Sequence, residues 1–392
     1  MTAIPAAAQD PPSDPSEAAR FRFGPVRFTP YLAITEVGTD TNVFNDAEVA
    51  RRDTTATFGP GVQYWLRAGR SRITARSDVT YTWFKNFDNQ RSLNNAHEVK
   101  LEVPLARITP FVDGTYQRGR VRPGYEIDTR AFRTEQSGGG GLDVALTSKT
   151  TFRVEGHRRR LEYRDDEFFL GSSLQETLSR RTNSIGVSWR QALTPLTTFV
   201  VQAEREEERF DFETVRDSTG VRVLPGFEFD PFALIGGKVF VGFRTFDTPS
   251  PVVPDFAGLV ADVEANYRAR ATRFDLKLQR DIEYSAEVLE PYYLLTDVGL
   301  KITQKITLRW DVVANLGRQW LAYRQADDGI GDTVPARTDT GSRIGGGLGY
   351  SFGEALRLGV DVDYYQRSSR RFLRDYDGLR VGGSFTYGLQ RQ

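Results

Sequence analysis

The sequence predicts an all-β chain folded as a transmembrane antiparallel up-and-down β-barrel of about 18 strands, with short turns at one end and long loops at the other. Three features point there. Apolar and polar residues alternate with a period of two over most of the chain, the gaps between the alternating runs are themselves alternately short and long, and no helical pattern interrupts them. Side chains at i and i+2 share a face only in an extended strand, so each run has one greasy and one polar side. A chain built this way packs two sheets together or closes into one barrel with lipid outside and water inside.

Taken in order, short gaps fall at Arg67 to Arg70, Leu105 to Arg107, Thr147 to Lys149, Ala192 to Pro195, Asp230 to Phe232, Ala269 to Thr272, Thr303 to Lys305 and Phe352 to Glu354. Between them lie longer polar gaps at Thr39 to Arg52, Asn86 to Ser92, Arg118 to Arg130, Arg164 to Arg181, Phe210 to Ser218, Thr248 to Pro254, Ser285 to Glu290, Arg324 to Asp339 and Arg367 to Arg374. A barrel needs this alternation, with both termini on the short-turn side, whereas a sandwich gives no reason for it. The faces separate cleanly in places. Ile306, Leu308, Trp310, Val312, Ala314 and Leu316 alternate with Thr307, Arg309, Asp311, Asn315 and Gly317, and Leu356, Leu358, Val360 and Val362 with Arg357, Gly359, Asp361 and Asp363. Aromatic residues gather near run ends (Tyr81, Trp83, Trp189, Tyr267, Tyr284, Tyr292, Trp320, Tyr350, Phe352 and Tyr387), as rings at a headgroup level do.

Composition narrows the function. The 392 residues carry 52 basic and 52 acidic side chains and no cysteine. Charge balance argues against a nucleic-acid partner, and the missing thiols exclude disulfides, thiol catalysis and cysteine-ligated zinc while suiting export through an oxidising compartment. No apolar run approaches the roughly 18 residues of a helical span, and the mean hydropathy of −0.45 is diluted by the strand alternation. Residues 1–24 are expected to be a signal-peptide remnant, with small residues before a cut after Ala8, followed by an unstructured Pro/Ser/Asp-rich lead-in. The barrel is expected over residues 25–392.

The polar rows supply the candidate site. They place Arg72, Arg76, Asp78, Lys100, Glu102, Arg153, Glu155, Arg159, Arg190, Lys238, Arg244, Asp262, Glu264, Arg273, Asp275 and Lys277 on a pore lining, together with Arg309, Asp311, Arg343, Arg357, Asp361, Asp363 and Arg380. In a dry core so many charges would each cost several kcal/mol even when paired, so a wide wet lumen is expected. Mixed signs point to hydrophilic, uncharged cargo such as sugars rather than to strong ion selectivity. Within the Arg164 to Arg181 gap, Phe168, Phe169 and Leu170 are apolar for a loop and mark a candidate constriction, or else a cap packed on other loops.

Other motifs carry less. Glu204 to Arg209 reads as a solvated strand end, or as a cluster meeting lipopolysaccharide through divalent cations. Asp327 to Asp332 lacks the spacing and closing glutamate of a calcium loop. Gly138 to Gly141 and the Gly345, Gly346, Gly347, Gly349 group sit in strand patterns with no following helix, so they allow bends, close approach or lumen space rather than cradling phosphate. His97 and His157 lie on separate strands, with only Ser92 and Glu98 near the first, and assemble neither a hydrolase nor a metal centre. No enzyme activity, metal or cofactor is expected.

Pro30 to Phe44, an extended strand running into Asp40, Asn42, Val43 and Phe44, resembles the opening of Gram-negative outer-membrane barrels of the putative β-barrel porin type 2 family, whose corresponding segment reads D-x-N-V-F/Y. The strand number is also similar to that of alginate-export porins. Barrels of this type finish on an aromatic residue, whereas here Tyr387 stands ahead of Gly388 to Gln392. The resemblance implies a porin-like channel in the outer membrane of a Gram-negative bacterium, passing hydrophilic solutes or saccharides and associated with surface-polysaccharide export. The alternative is a closed structural barrel that anchors partners. Expected partners are outer-membrane lipids and lipopolysaccharide, the barrel-assembly machinery during insertion, and a periplasmic polysaccharide-export component.

Overall fold

The computed structural model describes residues 15–230, 234–326 and 337–388. Eighteen strands follow one another around a single closed sheet. They are β1 (Val26–Asp40), β2 (Asp53–Ala68), β3 (Ser71–Phe84), β4 (Ser92–Glu102), β5 (Ile108–Val121), β6 (Ala131–Ala145), β7 (Thr150–Tyr163), β8 (Arg180–Thr194), β9 (Thr197–Phe210), β10 (Ser218–Phe229), β11 (Ile235–Asp247), β12 (Phe256–Ala269), β13 (Thr272–Tyr284), β14 (Tyr292–Lys305), β15 (Trp310–Arg324), β16 (Thr338–Phe352), β17 (Leu356–Ser368) and β18 (Tyr376–Tyr387). Each pairs antiparallel with the next, and β18 pairs back with β1 from Leu32 opposite Tyr387 to Asp40 opposite Arg380, which closes the wall. The nine long connections and seven of the eight short ones overlap the gaps read from the sequence. The eighth, expected at Thr303 to Lys305, instead spans Ile306 to Arg309, so these four residues are not strand residues alternating between lipid and lumen but a tight turn, held by the Thr307 hydroxyl accepting from the Arg309 and Trp310 N–H groups. A tilted 14-residue strand rises roughly 30 Å, enough to cross a hydrocarbon layer.

Local chemistry explains the tight ends. The β2–β3 turn is Gly69 and Arg70, and Gly69 sits at φ +59°, a left-handed conformation glycine adopts without steric cost. At the seam, β1 carries a bulge centred on Glu36, φ +55°, where its register slips against both β2 and β18.

Two expectations need correction. The lead-in is ordered from residue 15: Pro15–Ala18 forms a 3-10 turn and Phe21–Phe23 a short strand on Val26–Phe28. The reason is an edge. β18 stops pairing at Leu32, so the start of β1 would present bare backbone groups there, and the Phe21 segment covers them while its ring stacks on Phe28 at 5.5 Å. Residues 1–14, including the expected signal remnant, lie outside the described residues, as does the Asp327 to Asp332 loop. Secondly, Tyr284 and Tyr292 are not girdle rings: both pack with Phe246 in an apolar cluster beneath the long loops, where Tyr292 is fully buried. Trp189, Tyr267, Trp310, Trp320, Phe352 and Tyr387 are exposed on the outer face.

The outer face is a continuous apolar wall; Val312, Leu316, Ile344, Leu348, Val360 and Val362 all stand exposed on it. Replacing Ile344, at mid-strand, by arginine is expected to cost about 2–4 kcal/mol in denaturant unfolding from lipid vesicles. The inner-wall change Gln279→Arg, beside Asp262 and Asp297, should cost much less.

Candidate functional site

One contact fixes which face is inside. Residues 122–130 connect β5 to β6, yet the Tyr125 hydroxyl donates a 2.7 Å hydrogen bond to Asp297 on β14, half-way round the wall. Only a path through the lumen joins those points, so Asp297 faces inward. From Asp297 the ladders run through Gln279 to Asp262 on one side and through Gln319 and Gly341 to Arg367 on the other. Partners in register share a face, as do every second residues along a strand. On that count the polar rows named from the sequence, from Arg72 to Arg380, lie on the inner wall, with Arg309 in the turn before β15.

Most of these charges are matched. Lys100 meets Glu102 at 2.6 Å, Arg153 meets Asp143 at 2.6 Å, Lys238 meets Asp262 at 2.6 Å and Arg343 meets Asp363 at 3.0 Å. Arg76 pairs with Asp78, Arg190 with Glu228, Arg273 with Asp275 and Lys277 with Asp297. At the seam Arg380 binds Asp40 and Glu36, both at 2.8 Å. Glu155 approaches Arg153, Glu264 approaches Lys238, and Arg159 lies between Glu135 and Glu208, all at 3.8 to 4.0 Å. Asp361 accepts from Ser384. Arg357 on β17 reaches past β16 to Asp311 on β15 at 2.6 Å, and it crosses at Gly349, where a Cβ would fall 2.2 Å from the guanidinium. Glycines 345 and 347 give Asp363 and Asp361 the same clearance, which is the lumen space the glycine pattern suggested.

The inner wall is not polar throughout. Val200, Leu224, Phe240 and Val260, from β9 to β12, form a buried cluster on it, with the Phe240 ring lying over Gly226. Each sits in a row that also carries charged residues, such as Glu204, Arg222, Lys238 and Asp262, so alternation alone hid them. The Glu204 to Arg209 run also divides by face. Glu204, Glu206 and Glu208 point inward to Arg222, Arg244 and Arg180, while Glu207 and Arg209 pair with each other on the outer side. It is therefore not one acidic cluster.

The principal feature missed from sequence is the 122–130 loop itself. Its buried Glu126 carboxylate accepts from Ser285 Oγ at 2.6 Å and the Ala286 N–H at 2.8 Å. Arg367 donates to the Tyr125 and Glu126 carbonyls, both at 2.9 Å, and Arg374 to the Glu126 carbonyl at 2.6 Å. Asp128 lies 3.5 Å from Arg367 and 3.6 Å from Arg374. The network continues through Asp339, fully buried, to Arg337, Glu287 and Glu290. Burial pushes the Glu126, Asp128 and Glu290 carboxyls up, against the pull of the arginines. RPGYEIDTR looks like an ordinary polar loop; the only sequence signal was an acid pair flanked by arginines.

Of the two readings of the Arg164 to Arg181 loop, constriction or cap, its packing matches the cap. Phe169 is buried against Ile127, Leu174, Leu178 and Ala286, with the Arg374 guanidinium 4.6 Å over its ring, whereas Phe168 and Leu170 are 60% and 50% exposed. The Arg164 to Arg181 segment is thus the outer layer over the crossing loop. Its helix, Leu174–Leu178, is capped by Ser173 accepting from the Glu176 N–H. His97 contacts Ser77 Oγ at 2.8 Å, not Ser92, on the outward face, and among the described residues no carboxylate lies within 4.0 Å of it.

A closed, edge-free antiparallel wall with an apolar exterior and a charged interior defines an outer-membrane β-barrel. The chain belongs to the family described as Putative beta-barrel porin 2, whose model matches residues 14–387. Among solved structures it is similar to a BenF-like porin from Pseudomonas fluorescens Pf-5, at 10% identity and TM-score 0.50, covering 93% of this chain and 99% of that one. It is also similar to the siderophore receptor PirA from Pseudomonas aeruginosa, at 9% identity and TM-score 0.44, covering 92% and 80%. These likenesses concern the fold. Among curated proteins none matches.

The raised Glu126 carboxyl has a signed consequence. The docked loop holds the proton more tightly than an undocked one, so docking is strongest below the ordinary value of 4.5 and weakens as pH rises through the raised one. The chain lacks cysteine, so a thiol placed by Gly124→Cys reports this directly. Its labelling, normalised to an exposed Phe168→Cys control, should increase from pH 4 to pH 8, and Glu126→Gln should flatten the increase.

Proposed function

We propose that the protein is a porin-like conduit for hydrophilic solutes or saccharides across the outer membrane, with the 122–130 loop as its constriction. The observation that carries this reading is the inner wall: charged rows run its length, and a loop from one side is bonded to the other across the bore. Ionic side chains at such density are tolerated where water reaches them, and a partly exposed pair contributes only about 0–1 kcal/mol to stability, so they serve the lumen more than the fold. The finer reading is that the conduit forms the outer exit of a surface-polysaccharide export system, with a periplasmic export component docking on the short-turn rim. On this reading outer-membrane lipid and lipopolysaccharide surround the apolar wall, and the barrel-assembly machinery inserts it.

A second reading, a closed anchoring barrel, is favoured by one observation: long loops from different parts of the wall are tied together by a buried ionic network rather than left loose. Planar-bilayer recording separates the two. The conduit should conduct steadily, and deleting residues 124–127 should raise its conductance about two-fold or more, since the loop occupies the cross-section. Silence from both proteins, with heat-modifiable barrels intact on gels, would establish the closed barrel.

A further inference from the structure

The two ends of the lumen differ in charge. At the long-loop end carboxylates and guanidinium groups are interlocked. At the short-turn end the turns carry Arg70, Arg107, Lys149, Arg270 and Arg309 against Asp230 and Glu354 among the described residues. A cavity of about 600 Å³ opens there on the inner side of β12 to β17, lined by seven cationic side chains and four carboxylates, which leaves three positive charges in excess. Two cations are neutralised, Arg273 by Asp275 and Arg357 by Asp311, both at 2.6 Å. Arg268, Arg270, Lys301 and Lys305 make no ion pair within 4.0 Å among the described residues, whereas further along β12 and β14 Asp262 and Asp297 are met by Lys238 and Lys277.

From this geometry we infer that the short-turn mouth is a binding site for a carboxylated saccharide presented from the periplasmic side. The inference rests on the conduit reading and names its substrate class. Unmatched guanidinium and ammonium groups recognise carboxylate through charge-assisted hydrogen bonds, and a concave wall of one sign raises the local concentration of the opposite one. Hydroxyls and an amide stand among the cations, from Thr303, Thr307 and Asn315, and these pair with sugar hydroxyls rather than with a bare ion. The volume falls in the range of small-ligand pockets, about 300–1,000 Å³. Balanced signs over the whole lumen imply weak selectivity; the excess at this mouth makes the entrance selective although the bore is not.

The test is calorimetric titration of the full chain in detergent micelles, which needs no conduction. Tri-galacturonate is the probe, with neutral maltotriose and inorganic phosphate as comparators. The intact protein should bind tri-galacturonate at low salt and not maltotriose, the affinity should fall as salt is added, and Arg268→Gln/Lys301→Gln/Lys305→Gln should weaken binding about ten-fold or more. Heat-modifiability verifies that the variant is folded, and the milder Lys301→Gln/Lys305→Gln should lie between the two. Absence of binding, equal binding of maltotriose, or binding indifferent to both variants would overturn the site. Binding of phosphate in place of tri-galacturonate would overturn the carboxylate class. A protein that binds but does not conduct would sink the conduit and leave the site standing.

Discussion

Every other property of this barrel depends on the requirement that backbone N–H and C=O groups find partners where no water is available to supply them. A sheet meets it only by having no edge, so the last strand must return to the first. The seam between β1 and β18 is where that closure is made, and it is also where the sheet is least regular. The bulge at Glu36 lets β1 change register against both neighbours at once, and the displaced Glu36 side chain is drawn to Arg380. The short Phe21–Phe23 strand answers the same requirement, because it covers the part of β1 that β18 is too short to reach.

Closure then assigns the side chains. With an odd/even partition fixed around the ring, a residue's place in its strand decides whether it meets lipid or lumen, and the ionic rows gather on the concave side. There the long arginine side chains need room to find carboxylates that are not directly opposite. Glycine supplies it: Arg357 reaches Asp311 only because Gly349 on the intervening strand has no side chain. The glycine-rich centre of β16 is therefore part of the electrostatics of the wall rather than a weakness in it.

This partition is what made the barrel legible before any coordinates. Alternation in stretches such as Leu356 to Asp363 is a local property, and so is the length of each connection, which is why strand order, loop lengths and the inward rows could all be read from residues close in sequence. Contacts that join distant elements were not legible. Tyr125 and Asp297 are separated by 172 positions, and nothing in the local pattern around either announces the other. Apolarity was the wrong guide to the crossing loop. Of Phe168 to Leu170 only Phe169 is buried, and it roofs other loops, whereas the segment that enters the bore is held by charge, as a segment inside a wet lumen must be. The Val200, Leu224, Phe240 and Val260 cluster was hidden for the same reason, since its members come from four strands and no stretch of sequence brings them together.

The buried network under the loops shows what holding a strap by charge entails. Removing carboxylates and guanidinium groups from water costs several kcal/mol for each ion, and their attraction repays this only when the remaining lone pairs and protons are also bonded. Here the requirement is largely met: Glu126 has a hydroxyl and an amide, and Asp339 is bonded by Arg337, Arg367 and Ser369 together. Such an assembly gains little net stability over an apolar plug of the same shape, but it responds to protons and salt where an apolar plug would not. The same groups that hold the long loops together thus make that hold conditional, while at the other end Arg268, Arg270, Lys301 and Lys305 make no ion pair within 4.0 Å among the described residues. A barrel whose two mouths differ in this way is electrically polar along its axis even though its charges sum to zero.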